Sequence, residues 1–328
     1  MYLAGLHVHL SERLALLVLP VAGEPVMVLP AFEASRVPEG LRTLPWHEDE
    51  DPLPRLLEAL PAGARAIAFG ERVAASELLG VATARPEAEL SALERVTGGV
   101  RAVKDERELA ALRAAAEATD RAFHAFVRES LEGASERELA ARLASALRAE
   151  GLDDTFTTVA SGPNAAFPHH LPGERVVRRG DGVLLDFGGR KDGYLSDVSR
   201  TLSVGEPSVR LREVHAAVAS AQAAALAALR PGVRLGDVDA VARGSLASAG
   251  LAEAFTHRLG HGLGLEIHEP PYLRGGNDQL AEPGHVVTVE PGVYLLGELG
   301  VRIEDDVVVT DAGCESLTRA PRELQVVS

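Results

Sequence analysis

The sequence predicts an α+β protein in which a small α/β unit precedes a larger domain made of two similar halves. Three observations lead to this architecture. The 328 residues exceed what one ordinary hydrophobic core needs. Short apolar runs bounded by turn residues fill residues 1–98, whereas longer Ala- and Glu-rich runs with helical spacing follow Lys104. Two segments of the second part also match each other without gaps. We therefore expect domains at residues 1–98 and 99–328.

The first 98 residues read as a small α/β unit without a chemical motif. Its predicted strands include Leu14–Leu19, Val26–Leu29 and Ala66–Phe69. His7 and His9 alternate with apolar residues, and we interpret them as strand positions without a catalytic role. An active site is therefore expected in the larger domain, whose first helix is predicted from Asp105 to Val127.

A repeat predicts that the larger domain is duplicated. Gly133–Thr157 and Gly232–Thr256 align without gaps, and each begins with glycine and ends with Phe-Thr. Each also contains a helix-like run followed by a glycine suited to a helix C-terminus, Gly151 in the first copy and Gly250 in the second. The repeat predicts two halves, each with two helices followed by antiparallel strands, that face each other across a cleft.

The first half contains two aspartates on neighbouring strands. A hairpin whose turn is centred between Lys191 and Asp192 would lead into a second strand at Tyr194–Val204. This register places Asp186 directly opposite Asp197, at roughly 5 Å. Two facing carboxylates repel each other, so they need either a shared proton with a raised pKa or a bridging cation.

The second half repeats this arrangement with glutamates. Val286–Val289 leads into Glu290, and a strand predicted at Val301–Thr310 contains Glu304 within one register step of facing it. Strand alternation puts Arg302 on the same face as Glu304, where the guanidinium can orient the carboxylate. Four acids from two hairpins require positive charge between them.

Three histidines lie close together in a glycine-rich segment. His257, His261 and His268 share one segment with several glycines. These glycines argue against a helical zinc motif and suit close approach of the backbone to a ligand. A site of carboxylates and imidazole favours manganese, cobalt, iron or zinc over copper. Bridging carboxylates commonly hold two such ions about 3.5–4 Å apart.

At these residues the sequence resembles the pita-bread metallopeptidases, in particular the proline-specific branch of aminopeptidase P and prolidase. The resemblance runs from about residue 100 to the end and is weaker over the first unit, which looks short beside its relatives. The segments that carry the resemblance are SGPNAAFPHH (161–170), LLDFGGRKDGYLSDVSRT (184–201), HRLGHGLGLEIHEPP (257–271), TVEPGVY (288–294) and VRIEDD (301–306).

The resemblance implies a pita-bread fold for the larger domain and a pair of divalent metal ions, with manganese expected and cobalt or zinc as alternatives. The implied ligands are Asp186, Asp197, His261, Glu290 and Glu304. Glu290 would also be the general base, and His268 would stabilise the tetrahedral intermediate. His169 would help to hold the substrate, His257 would line the proline pocket, and Arg302 would orient Glu304.

The function expected from this resemblance is a metallo-exopeptidase acting on Xaa-Pro peptides. An aminopeptidase P activity is expected first, because a short first unit would leave the cleft open to longer peptides. Prolidase activity is the alternative; it requires a wall or a cation at the C-terminus of a dipeptide. A non-catalytic binding protein on the same fold is the remote alternative, which the complete ligand set disfavours.

Bulk properties restrict the remaining possibilities. The net charge of −15 argues against nucleic acid as a partner, because phosphate binding needs a basic surface. Cys314 is the single cysteine, so no intrachain disulfide can form. The sequence shows neither a secretory signal nor an apolar stretch long enough to span a bilayer. We expect a cytoplasmic protein with no membrane partner and, from the resemblance alone, a homodimer.

Overall fold

The computed structural model describes Leu3 and residues 12–328. His7 and His9, interpreted above as strand positions, lie outside the described residues. The chain divides into two compact units, residues 1–99 and 100–328. In the part of the chain that the structure describes, no helix is both long and apolar enough to cross a membrane.

The first unit combines short strands and helices. Its elements are β1 (Leu16–Val18), β2 (Val26–Pro30), β3 (Arg42–Trp46), α1 (Leu53–Ala59), β4 (Ala66–Phe69), α2 (Ala75–Ala84), β5 (Glu89–Ala92) and α3 (Glu94–Ala102), the last of which contains the division point. β2 pairs antiparallel with β1 and parallel with β3, and β4 pairs parallel with β5. Val28, Trp46 and Val81 are buried at the centre of its core.

The second unit contains the two predicted halves. The first half consists of α4 (Glu106–Phe126), α5 (Glu136–Ala149), β6 (Asp153–Ser161), β7 (Gly182–Lys191) and β8 (Tyr194–Val204). The second half consists of α6 (Val209–Ala228), α7 (Leu235–Ser248), β9 (Gly260–Gly262), β10 (Glu269–Leu273), β11 (Val286–Val289), β12 (Gly292–Leu295), β13 (Leu299–Arg302), β14 (Asp305–Thr310) and β15 (Gly313–Ser316), with β16 (Gln325–Val327) at the end. The strand orders are β16-β8-β7-β6, β10-β9-β11-β14-β15 and β12-β13.

The duplication extends to backbone conformation. Gly133 and Gly232, which precede α5 and α7, have φ of 86° and 81°. Gly151 and Gly250, which follow the same helices, have φ of 81° and 72°. These left-handed conformations favour glycine, which explains why the repeat retains it at all four positions. The α+β class and the paired halves predicted from the sequence are confirmed.

Side-chain alternation separates the core from the acids. On β7, Val183, Leu185 and Phe187 are buried in a core that also contains residues of α4 and α5. The intervening residue Asp186 therefore points to the opposite face. The same alternation on β14 buries Val307 and Val309 in the core of the second half. Each sheet thus packs its apolar face on helices and turns its acidic face towards the other half.

The predicted register of the first hairpin is wrong by two positions. The two-residue turn consists of Asp192 and Gly193, with φ of 51° and 89°, and Asp-Gly is a preferred pair for such turns. Asp186 therefore pairs with Ser199, and Asp197 pairs with Gly188. Because side chains alternate with a period of two, the shift leaves both aspartates on the predicted face. They lie diagonal to each other instead of directly opposite.

The second hairpin follows its predicted register. The strand predicted at 301–310 is divided into β13 and β14, but their ladders with β12 and β11 share one register. Val289 pairs with Asp305, and Gly292 pairs with Arg302. Continuing this register across the gap places Glu290 opposite Glu304.

Candidate metal centre

A cavity of about 360 Å³ lies where the acidic faces of the two halves meet. It is lined by the nine residues that the sequence analysis singled out, namely His169, Asp186, Asp197, His257, His261, His268, Glu290, Arg302 and Glu304. Pro168 and Arg258 complete the lining. Arg258 was not among the functional residues predicted from the sequence.

The two halves are joined directly beneath this cavity. The backbone N–H of Glu304 donates to the carbonyl oxygen of Ser199 at 3.1 Å. The backbone N–H of Asp197 donates to both carboxylate oxygens of Asp306, at 3.1 and 3.3 Å. β8 and the β13–β14 strand therefore run side by side, which brings acids from distant parts of the chain together.

Three potential ligands form a compact buried group. One ligand atom from each of Asp197, His261 and Glu304 lies within 4.8 Å of the other two. Glu290 Oε1 lies 3.3 Å from His261 Nε2, and Asp197 Oδ2 lies 3.7 Å from the same nitrogen. Glu290 and Asp186 are not members of the compact group, and Asp186 Oδ2 accepts a hydrogen bond of 2.6 Å from Arg302.

The tautomer of His261 follows from its hydrogen bond. Nδ1 lies 3.1 Å from the carbonyl oxygen of Gly262, which can only accept, so Nδ1 carries the proton. Burial lowers the pKa of His261 to about 3, so the ring is neutral. Nε2 therefore presents a lone pair towards the carboxylates of Asp197 and Glu290. The lone pair and the negative carboxylates repel each other, and a cation bound between them would be coordinated by all three groups.

The carboxylates show the same need for positive charge. Burial, followed by the negative charge of Glu304, raises the pKa of Asp197 well above its usual value. Burial and the charges of Glu290 and Asp186 raise the pKa of Glu304 in the same way. Asp197 Oδ1 is buried and has no hydrogen-bond partner among the described residues. A buried carboxylate with one orphaned oxygen, whose other oxygen lies 3.7 Å from the imidazole nitrogen, fits a divalent metal ion.

Arg302 contacts a different acid from the one predicted. Its Nη2 donates to Asp186 at 2.6 Å, whereas its Nε lies 3.9 Å from Glu304 Oε2. The link to Glu304 runs through Ser199, whose hydroxyl accepts from Arg302 Nε at 2.7 Å and donates to Glu304 at 2.6 Å. Arg302 therefore orients Asp186 directly and Glu304 through a hydroxyl, which strand alternation alone could not reveal.

His257 belongs to a chain of hydrogen bonds that ends at Arg302. Its Nδ1 donates to the carbonyl oxygen of Arg258 at 2.8 Å, so its Nε2 accepts from the hydroxyl of Tyr294 at 2.8 Å. The same hydroxyl accepts from Arg302 Nη1 at 2.8 Å. Burial lowers the pKa of His257 to about 4. Tyr294 was missed in the sequence, although it follows Glu290 within the strand that continues the hairpin.

The remaining two histidines lie at the rim. His169 and His268 are exposed, and the ring of His268 packs edge-on against His261 with centroids 4.3 Å apart. Desolvation, followed by the charge of Arg258, lowers the pKa of His268. Both side chains are thus available to a molecule that enters the cavity.

Glycines allow the backbone around the cavity to pack without side chains. A Cβ on Gly260 would collide with the carbonyl oxygen of Thr288, and one on Gly262 would collide with that of Glu269. A Cβ on Gly300 would collide with the carbonyl oxygen of Ala165. Gly260 and Gly262, which were expected from the sequence to admit a ligand close to the backbone, instead lie against the main chain of neighbouring strands.

Arg258 supplies a positive charge at the mouth of the cavity. Its guanidinium stacks on the ring of Tyr272, 4.6 Å from the centroid, and the side chain is half-buried. Among the described residues, no acidic side chain forms an ion pair with Arg258. A cation held in this way is free to meet an anionic group of a ligand.

Known proteins are similar to this chain over most of its length. The family model described as metallopeptidase family M24 matches residues 110–311. The probable dipeptidase PepE of Mycobacterium bovis is 43% identical over 335 residues, covering 99% of this chain and 89% of that protein. The crystal structure of prolidase from Thermococcus sibiricus has a TM-score of 0.93 at 37% identity, over 99% of this chain and 91% of its own. The crystal structure of the X-Pro aminopeptidase from Thermotoga maritima MSB8 has a TM-score of 0.83 at 35% identity, and the match covers 93% of this chain and 86% of that one.

Proposed function

Because this chain belongs to metallopeptidase family M24, it is a metallopeptidase, and we propose that it hydrolyses Xaa-Pro dipeptides. The similarity to a probable dipeptidase, a prolidase and an X-Pro aminopeptidase supports the proline specificity. The sequence alone favoured the aminopeptidase. Two of these three relatives, together with one feature of the cavity, support the dipeptidase instead.

The observation that carries the dipeptidase proposal is the position of Arg258, whose guanidinium forms no ion pair with an acid among the described residues. A dipeptide has a free carboxylate next to the scissile bond, whereas a longer peptide has a neutral amide there. Arg258 lines the same cavity as the acidic cluster and is held in place by Tyr272. A guanidinium binds a carboxylate through paired hydrogen bonds, and such a contact favours the dipeptide by its charge.

Asp186, Asp197, His261, Glu290 and Glu304 would hold two divalent ions, which we propose are manganese. Such ions lower the pKa of water and polarise a carbonyl group. Glu290 is suited to act as the base, because Thr288 Oγ1 fixes its Oε1 at 3.1 Å while its Oε2 remains directed into the cavity towards His257. His268, at the rim beside His261, would donate to the oxyanion of the tetrahedral intermediate.

The neutral ring of His257 would form one wall of the proline pocket. Tyr294 and the carbonyl oxygen of Arg258 hold both ring nitrogens, so the ring cannot rotate freely. His169, which lines the same cavity, would also contact the substrate. A rigid, neutral ring suits the apolar pyrrolidine of proline.

Substrate length decides between the two activities. We would measure kcat/KM for an Xaa-Pro dipeptide, its C-terminal amide and an Xaa-Pro-Yaa tripeptide, using manganese-loaded enzyme. We expect the dipeptide to exceed the amide by at least about tenfold, as loss of one charged hydrogen-bonded contact implies. Arg258→Met should remove this preference, whereas Arg274→Met, which changes an exposed arginine outside the cavity, should retain it.

Aminopeptidase P activity is the second candidate, supported by the similarity to the Thermotoga maritima enzyme. Cleavage of the tripeptide and the amide as efficiently as the dipeptide would establish that activity and remove Arg258 from its proposed role. We also propose a homodimer, in which the first unit contributes to assembly or to substrate access. Analytical ultracentrifugation of the full chain tests the assembly.

A further inference from the structure

Glu136 is a fully buried acid outside the metal centre. It is the first residue of α5 and its relative exposure is 0%. It does not line the cavity. A carboxylate in such a place is costly unless it accepts several hydrogen bonds, so its partners indicate what holds it there.

Among the residues that the structure describes, every side-chain and backbone donor to this carboxylate comes from one segment, residues 161–173. Oε1 accepts from the backbone N–H of Ser161 at 2.8 Å and from its hydroxyl at 2.7 Å. Oε2 accepts from His170 Nε2 at 2.8 Å and from the backbone N–H of Gly173 at 3.3 Å. Asn164 Nδ2 donates to both oxygens, at 3.0 and 3.1 Å. One carboxylate therefore fixes four points along this 161–173 segment.

The backbone at the start of α5 is also tied to the last residue of this segment and to Arg175, two residues beyond it. The N–H of Glu136 donates to Arg175 O at 3.0 Å, and the N–H of Arg137 donates to Gly173 O at 3.0 Å. Although burial raises the pKa of Glu136, the hydrogen bonds from Ser161 and His170 outweigh it and lower the pKa overall. The group is thus an ionised acceptor held against the segment by both side chain and main chain.

The 161–173 segment carries one rim of the cavity. Pro168 and His169 line the cavity, and His169 is adjacent in sequence to His170, whose ring is bound to Glu136. On the other side, Arg302 Nη1 lies 3.4 Å from the carbonyl oxygen of Pro168. The position of His169 therefore depends on a contact buried behind the rim.

We propose that Glu136 is a positioning residue that holds the 161–173 segment in the conformation that presents His169 to the substrate. Glu136 touches neither substrate nor metal and acts through His170, Asn164 and Ser161. The inference rests on the proposed function only where it assigns a substrate contact to His169. Displacement of a binding group by about 1 Å can reduce activity by about a hundredfold, so a modest shift of this segment is sufficient.

The test is Glu136→Gln, which keeps the size of the side chain but replaces one acceptor oxygen with an NH₂ donor that faces other donors. We expect amide hydrogen exchange of residues 162–173 to accelerate at least about tenfold, and KM for an Xaa-Pro dipeptide to rise by about ten- to a hundredfold with a smaller change in kcat. Glu138→Gln is the matched control, since Glu138 is exposed and caps the same helix through Ser135. Glu138→Gln should change neither the hydrogen exchange of residues 162–173 nor KM.

A double-mutant cycle separates positioning from general stability. In the background of His169→Ala, Glu136→Gln should have little further effect on KM, because the two residues act through one contact. Multiplicative effects of the two substitutions on KM, or normal hydrogen exchange of residues 162–173 in Glu136→Gln, would overturn the proposal.

If Glu136→Gln does not fold, Asn164→Ala and His170→Ala each remove a single contact. They should show smaller increases in hydrogen exchange and in KM. If the wild-type protein has no peptidase activity, the proposed function is refuted. Hydrogen exchange would still show whether Glu136 holds the 161–173 segment in place.

Discussion

Arg302 and Asp186 form an ion pair, with Nη2 and Oδ2 2.6 Å apart, that links the second half of the larger unit to the first. The guanidinium is buried and also binds Ser199 and Tyr294. One side chain thus connects the carboxylate of Asp186, the hydroxyl that holds Glu304 and the hydroxyl that holds His257.

Replacement of Arg302 by lysine should separate charge from geometry. Arg302→Lys retains the positive charge but cannot reach Asp186, Ser199 and Tyr294 together, because an ammonium lacks the planar fork of guanidinium. We expect manganese affinity or kcat/KM to fall by about ten- to a hundredfold, as for other residues that orient metal ligands. Isothermal titration and steady-state kinetics measure the two effects. Arg121→Lys, which changes an exposed ion pair with Glu150, is the control; wild-type values for Arg302→Lys would contradict the linking role.

Removal of metal should lower the thermal stability of the protein. Ions bound by acids from both halves stabilise the folded state, by about 2.7 kcal/mol when their concentration is a hundred times Kd. For a unit of this size we expect Tm to rise by roughly 5–10 °C when manganese is added to chelator-treated protein. Asp197→Asn should abolish this increase, whereas Glu315→Gln, at a half-buried ion pair with Arg113 outside the cavity, should preserve it. The same increase in Asp197→Asn would exclude Asp197 as a ligand.

His215 should make stability depend on pH. Its side chain is 5% exposed, and Nε2 has no hydrogen-bond partner among the described residues. Burial, followed by the charge of Arg200, lowers its pKa from 6.5 to about 4. The unfolded chain therefore binds a proton first, so the stabilisation is complete above pH 6.5 and is lost as pH falls towards 4. Between pH 7 and 5 the loss should reach about 2 kcal/mol.

Urea unfolding of wild type and His215→Met measures this contribution. The methionine variant cannot titrate at this position, so the difference in unfolding free energy between the two proteins should change by about 2 kcal/mol between pH 7 and 5. Two stability curves that remain parallel over this range would show that the histidine is not responsible.

Gly300 and Gly244 should respond to alanine in opposite directions. A Cβ on Gly300 collides with the backbone of Ala165, so Gly300→Ala should destabilise the protein by about 1–3 kcal/mol and displace the 161–173 segment. Gly244 lies in the exposed part of α7 with open space at its Cβ, so Gly244→Ala should stabilise by about 0.5–1 kcal/mol. Thermal and chemical unfolding test both signs; tolerance of alanine at 300 would contradict the close approach of the two backbones.

Local patterns and the family resemblance together predicted the fold and most residues that line the cavity. The helix predicted at Asp105–Val127 is α4, and the strand predicted at Tyr194–Val204 is β8. The two halves followed from repeated glycines whose positive φ leaves few alternatives. All nine residues singled out in the sequence line one cavity.

Contacts between residues far apart in sequence could not be predicted in the same way. The register of the first hairpin depended on the centre of its turn, which was predicted between Lys191 and Asp192 but lies between Asp192 and Gly193. The partner of Arg302 depends on how the two halves dock, which no local spacing encodes. Glu136 resembles any acid in the first turn of a capped helix, so nothing in its surroundings marks it as the anchor of a distant segment.

The glycines around the metal centre limit how this enzyme could be altered by evolution or by engineering. Because Gly260, Gly262 and Gly300 leave no room for a methyl group, the main chain behind the lining side chains does not accept a side chain at these three positions. New substrate preferences are therefore expected from changes to lining side chains, such as the half-buried Arg258 and the exposed His169. A library directed at those two positions should yield altered selectivity, whereas randomising the glycines should yield mainly unfolded protein.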